Sequence, residues 1–179
     1  MDEVEIVDYD ARWPAIFAEE ARLLSAVLDP SLFVGLEHFG STAIPGLAAK
    51  PIIDILITVR SLAEVRTKVV EPLQRIGYVF WAENPKTDRM FFVKGMPPYG
   101  EQRTHHIHIC EPSAEPWLGL LFRDYLRAHP EEAQRYERLK RELAAQHRTD
   151  REAYTSAKAS YMEEILAKAR REKLSPSGM

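Results

Sequence analysis

The run Ile52-Ile53-Asp54-Ile55-Leu56-Ile57-Thr58-Val59 constrains the fold more than any other segment. Apart from Asp54 and Thr58 it is aliphatic and mostly β-branched, the composition of a central strand buried on both faces. Asp54 is the only charge in it. Burying a carboxylate is costly unless it is paired or binds a metal, so Asp54 needs a partner.

The rest of the chain supplies a sheet and helices around that strand. Val4–Val7 reads as an edge strand, followed by a helix with Asp10 as N-cap and Pro14 in the first turn. Trp13, Ile16, Phe17, Leu24 and Val27 recur at helical spacing until Asp29-Pro30. A strand over 32–39 leads into Gly40-Ser41-Thr42-Ala43-Ile44-Pro45-Gly46, a turn rich in exposed N–H groups and hydroxyls. Ser61 and Glu64 form a capping box for a helix reaching Ile76, which Pro72 should bend or break. Tyr78–Trp81, Met90–Val93 and His105–Cys110 read as further strands. After Pro112 the pattern turns helical, with helices over 115–128, 131–147 and 150–172 and a frayed end at Ser175–Gly178. The expected architecture is a mixed α/β body, residues 1–112, with a C-terminal helical region, 113–179, packed on it.

Composition excludes several classes. The 179 residues carry 24 Lys/Arg and 27 Asp/Glu, so no global field attracts nucleic acid. The acidic excess lies before residue 113, where 11 basic residues face 16 acidic ones; 13 and 11 follow. A weakly basic tail against an acidic body is compatible with phosphate binding. No stretch approaches the roughly 20 apolar residues of a membrane helix, and the acidic Met1–Glu5 start is unlike a secretory signal. Cys110, the single cysteine, makes no internal disulfide. A cytoplasmic location is expected.

Two readings of the glycine-serine turn stand side by side. Gly40, Ser41 and Thr42 carry the equipment for holding phosphate oxygens; equally, they make a tight turn beside an Asp54 satisfied by backbone or a neighbouring lysine. The phosphate loop of P-loop kinases, GxxxxGK[ST], is absent. Cys110 reads as a buried small hydrophobe.

The run His38-Phe39-Gly40-Ser41-Thr42-Ala43-Ile44-Pro45-Gly46-Leu47-Ala48-Ala49-Lys50-Pro51-Ile52-Ile53-Asp54-Ile55 resembles the signature of the GrpB family, which looks like a branch of the nucleotidyltransferase superfamily. The resemblance extends from Tyr9 and Trp13-Pro14 through His106–Ile109 and Phe122–Arg127 to the Tyr136…Lys140 and Tyr154…Lys158 segments. It implies a nucleotidyltransferase-like fold that binds a nucleoside triphosphate with a divalent metal, Mg²⁺, Mn²⁺ or Zn²⁺, and transfers a nucleotidyl group to an acceptor. Gly40, Ser41 and Asp54 match the superfamily pattern. The position two beyond Asp54, where a second metal carboxylate belongs, is Leu56, so either catalysis uses other ligands or the fold serves as a binding or regulatory module.

His106 and His108 can supply those ligands. They alternate onto one strand face with imidazoles roughly 6–7 Å apart, while His105 faces the other way. With Asp54 they form an oxygen-plus-imidazole set better suited to Mn²⁺, Zn²⁺ or Fe²⁺ than to Mg²⁺; alternatively one is a general base for an acceptor hydroxyl. A His-x-His-x-His nucleophile strand is incomplete, with Cys110 in the third place. Cations for phosphate are expected from Lys50, Arg89, Lys140 and Lys158. Tyr136/Lys140 and Tyr154/Lys158 are i,i+4 pairs that share a helix face, either as ring-plus-ammonium ligand groups or as lysine stems covering rings.

Overall fold

The computed structural model describes residues 3–112 and 114–174. Five strands form one sheet: β1 Phe33–Phe39, β2 Ile53–Val59, β3 Tyr78–Phe80, β4 Arg89–Lys94 and β5 His105–Cys110. Their order is β1-β2-β5-β4-β3. Only the β2–β5 pair is parallel, and the other neighbours run antiparallel. The histidine strand is thus central. Helices α1 Trp13–Val27 and α2 Leu62–Arg75 cover one face, sealing Ile53, Ile55, Ile57, Phe92, Ile107 and Ile109 beneath Leu24, Val69 and Leu73.

On the opposite face α3, Glu115–Ala128, lies over β1, β2 and β5. Gly119 permits the approach, because a Cβ there would stand 2.9 Å from the Phe39 ring. Helices α4 Pro130–Gln146, α5 Arg151–Ala157 and α6 Ala159–Leu174 complete the chain. Phe122, Leu126, Tyr136, Tyr161 and Ile165 bury themselves there against Ile44 and Leu47 of the segment before β2. Among the described residues, no helix is long and apolar enough to cross a membrane.

Several local expectations need correction. Val4–Val7 forms no strand; Val7 makes an isolated bridge to Ala49, and the Val4 N–H goes to the Arg148 carbonyl at 2.8 Å. Its alternating side chains match the tail helices rather than a strand, with Val4 packed beside Leu143 and Tyr154. Asp10 does not cap α1: its carboxylate accepts from the Arg12 N–H at 2.9 Å, two residues before the N-cap position at Arg12. Helix α2 runs through Pro72, because only one bond is lost so close to the helix end. The Ser61 cap forms as expected, accepting from the Glu64 N–H. The third tail helix divides at Lys158 into α5 and α6. Ser175–Gly178 lies outside the described residues.

Candidate functional site

The parallel register between β2 and β5 builds the site. Asp54 pairs with His106 and Leu56 with His108, and residues opposite one another share a sheet face. One carboxylate and two imidazoles therefore meet on the α3 side, although 52 residues separate Asp54 from His106 in sequence. The two rings stand 6.5 Å apart, centre to centre. Each of the three residues offers a ligand atom within 4.8 Å of the others.

Asp54 Oδ1 and His106 Nδ1 are 3.0 Å apart. His106 Nε2 and His108 Nδ1 are buried without a hydrogen-bond partner. Buried polar atoms are normally satisfied, so two orphaned nitrogens beside a carboxylate single this cluster out as the candidate site. Burial pushes His108 down to about 3, leaving its ring neutral at physiological pH. Burial works against the Asp54 charge, but the His106 hydrogen bond, helped by the attraction of Lys50, prevails and holds its carboxyl below the usual range.

The glycine-serine turn abuts this cluster. Gly40 adopts φ 71°, and a Cβ there would stand 2.5 Å from Asp54 Oδ2, so the backbone rests on the carboxylate. Ser41 lies within hydrogen-bonding reach of Tyr136. The Thr42 hydroxyl is spent inside the turn, donating to the Ile52 carbonyl at 3.2 Å and meeting His38 Nε2 at 3.0 Å. His38 itself is a buried prop, stacked on Phe17 and pushed down to about 4 by burial.

The tail brings cations to the same place. The ammonium groups of Lys50 and Lys158 stand 5.2 and 4.5 Å from the centre of the Tyr154 ring. Lys140 lies 4.8 Å from that of Tyr136 and donates to the Ala48 carbonyl. Burial depresses all three pKa values, Lys50 and Lys140 to about 7 and Lys158 to about 8, and Lys158 repels the other two. Among the described residues, none of them forms an ion pair with a carboxylate. Asp54 is close enough to attract both Lys50 and Lys158.

Arg89 is differently placed. Its guanidinium is held by Asp88 at 2.8 Å and Glu115 at 2.6 Å, tying β4 to the start of α3 rather than joining the lysines. Two residues that the sequence reading passed over contribute instead: Arg103 and Arg151 lower the Lys50 pKa further. Arg151 was detectable, since Arg151, Tyr154 and Lys158 fall at i, i+3 and i+7 on one helical face. A surface groove of about 440 Å³ lined by Gly77, Lys94, Gly95 and Tyr99 shares no residue with the cluster. It lacks the convergent carboxylate and imidazoles that make the Asp54 region the chemically distinctive site.

A sheet in which a glycine-serine turn abuts a strand carboxylate, capped by tail helices, defines a fold seen in a solved relative. The crystal structure of conserved protein GrpB from Enterococcus faecalis superposes with a TM-score of 0.82 at 34% identity, covering 94% of this chain and 99% of that one. The GrpB protein family matches residues 3–168, and the chain belongs to that family. A UPF0157 protein of Pseudomonas aeruginosa is 50% identical over 94% of this chain and 68% of its own length. UPF0157 protein YqkA of Bacillus subtilis is 42% identical over 94% of this chain, which spans 48% of that relative.

Proposed function

We propose that the chain binds a nucleoside triphosphate together with a divalent metal and transfers a nucleotidyl group to an acceptor. The observation that carries this reading is the convergence of Asp54, His106 and His108, with two orphaned imidazole nitrogens, beside lysines free of carboxylate partners. Asp54, His106 and His108, each offering one ligand atom, are the groups that would hold the metal. One oxygen and two nitrogens favour Mn²⁺ or Zn²⁺ over Mg²⁺, which prefers an all-oxygen shell. When bound, such an ion neutralises phosphate charge and acts as a Lewis acid.

The chain's own residues do the positioning. The Gly40–Ser41 backbone approaches closely enough to the carboxylate to put its N–H groups near a phosphate. Lys50 and Lys158 supply positive charge on the tail side, and Lys140 braces the Ala48 carbonyl beneath them. In transfer, an acceptor oxygen attacks the α-phosphorus and pyrophosphate leaves; where only one of His106 and His108 holds the metal, the other takes the acceptor proton.

A second reading rests on Leu56. It is fully buried against Phe39 and Cys110 where a second metal carboxylate would stand, which favours a binding module without turnover. The first test is thermal stability with Mn²⁺ and each nucleoside triphosphate. A ligand at a hundred times its Kd should add about 2.7 kcal/mol, and Asp54→Asn should abolish that gain. No stabilisation of the wild type, or an undiminished gain in Asp54→Asn, would sink the site assignment. Pyrophosphate release with candidate acceptors then separates turnover from binding alone.

A further inference from the structure

The face that carries Asp54 and the two histidines continues outward into an aromatic surface. Phe91 on β4 pairs with His108 across the ladder, and Val93 with His106. The Phe91 ring touches both imidazoles, at 5.1 Å from His106 and 4.7 Å from His108. One strand further out, Val79 pairs with Val93. The Trp81 N–H bonds to the Phe91 carbonyl at 2.9 Å, extending the β3–β4 ladder, and the indole stands 5.9 Å from the Phe91 ring. Phe91 and Val93 are buried, whereas Trp81 is 47% exposed and Val79 36%.

We propose that Trp81, backed by Phe91, is the stacking platform for the nucleobase of the ligand whose phosphates lie at Asp54, His106, His108 and the lysines. The proposal rests on the functional reading above and adds the part of the ligand that reading leaves unplaced. Three observations choose a ring as occupant. The buried His106 Nε2 is unpartnered and its ring packs on Phe91, so the aromatic side chains border the group a ligand would meet. The lysines free of carboxylates approach from β2 and the tail, which assigns the anionic end to that side. Lys86, in the loop before β4, is committed to Glu115, and Arg89, at the start of β4, to Asp88 and Glu115, so neither is offered to a second phosphate. An exposed indole backed by the Phe91 ring is suited to the π-face of a base.

The test is calorimetric titration with ATP, CTP and inorganic tripolyphosphate in Mn²⁺, on wild type, Trp81→Ala and Trp81→Phe. Stacking on an aromatic side chain predicts that wild type binds ATP roughly ten- to a hundredfold tighter than tripolyphosphate, with CTP between them. Trp81→Ala should reduce ATP affinity to the tripolyphosphate level without changing tripolyphosphate binding, and Trp81→Phe should retain most of the gain. ATP binding no tighter than tripolyphosphate, or unchanged in Trp81→Ala, overturns the platform while leaving the metal-phosphate site standing. If neither ligand binds wild type, the functional reading fails and takes the platform with it. A Trp81→Ala change that alters sedimentation but not ATP affinity would give the surface to a second copy of the chain and refute the proposal.

Discussion

Lys140 is 2% exposed, lies beside Lys50 and Lys158, and among the described residues forms no ion pair with a carboxylate. Burial and repulsion hold its pKa near 7 instead of the ordinary 10.5. Between those two values the unfolded chain binds more protons than the native one, so this residue makes stability rise with pH. At about pH 7 the protonation penalty is on the order of 4 kcal/mol, and it fades towards about pH 10. Lys140→Met removes the penalty but leaves the Ala48 carbonyl without its donor, a loss of about 1–3 kcal/mol. The variant should therefore be more stable than wild type by roughly 1–3 kcal/mol at about pH 7, and less stable by a similar amount at about pH 10. Urea unfolding at both pH values measures the difference directly. A Met variant that is destabilised at neutral pH, or whose stability difference does not move with pH, would refute the argument that an ionised lysine is held there at a cost.

Other consequences can be checked with the same protein. Sulfate binding should weaken from about pH 6 to about pH 9 as the depressed lysines lose their protons, and a pH-independent affinity would remove them from the anion site. Gly40→Ala should cost roughly 2–4 kcal/mol, since it forces a methyl group towards Asp54 at a positive φ; a neutral result would mean the turn moves freely away from the carboxylate. On the other face, Lys94 holds buried Glu20 at 2.8 Å with both carboxylate oxygens, while Tyr78 donates to Glu20 at 3.0 Å. Lys94→Met should cost about 3 kcal/mol by leaving a buried charge short of its partner, and adding Glu20→Gln should recover part of that loss in a double-mutant cycle.

The strands were legible because each is a short, concentrated run of branched and aromatic residues, and Asp54 stood out because such a run makes a charge expensive. The alternation of His106 and His108 onto one face follows from strand geometry alone. What no local pattern contains is the pairing partner. Val4–Val7 alternates as a strand does, yet its backbone meets Arg148, a contact decided by how the tail docks. Arg89 looked available as a cation until Asp88 and Glu115 were brought beside it by the loop before β4 and the start of α3. The break at Lys158 was equally invisible, because residues 150–172 carry no proline or glycine to announce it.

That break shapes how the protein is held together. Lys158 arrives beside Tyr154 and Asp54 from the junction of two helices, whereas Asp54, His106 and His108 belong to the sheet. An anion gripped by both sets of groups would be a rivet across the seam between them. Its departure would leave Lys50, just before β2, and Lys158 repelling one another at that seam, so occupancy and mechanical cohesion of the tail become one coupled quantity, readable in the hydrogen exchange of α5 and α6.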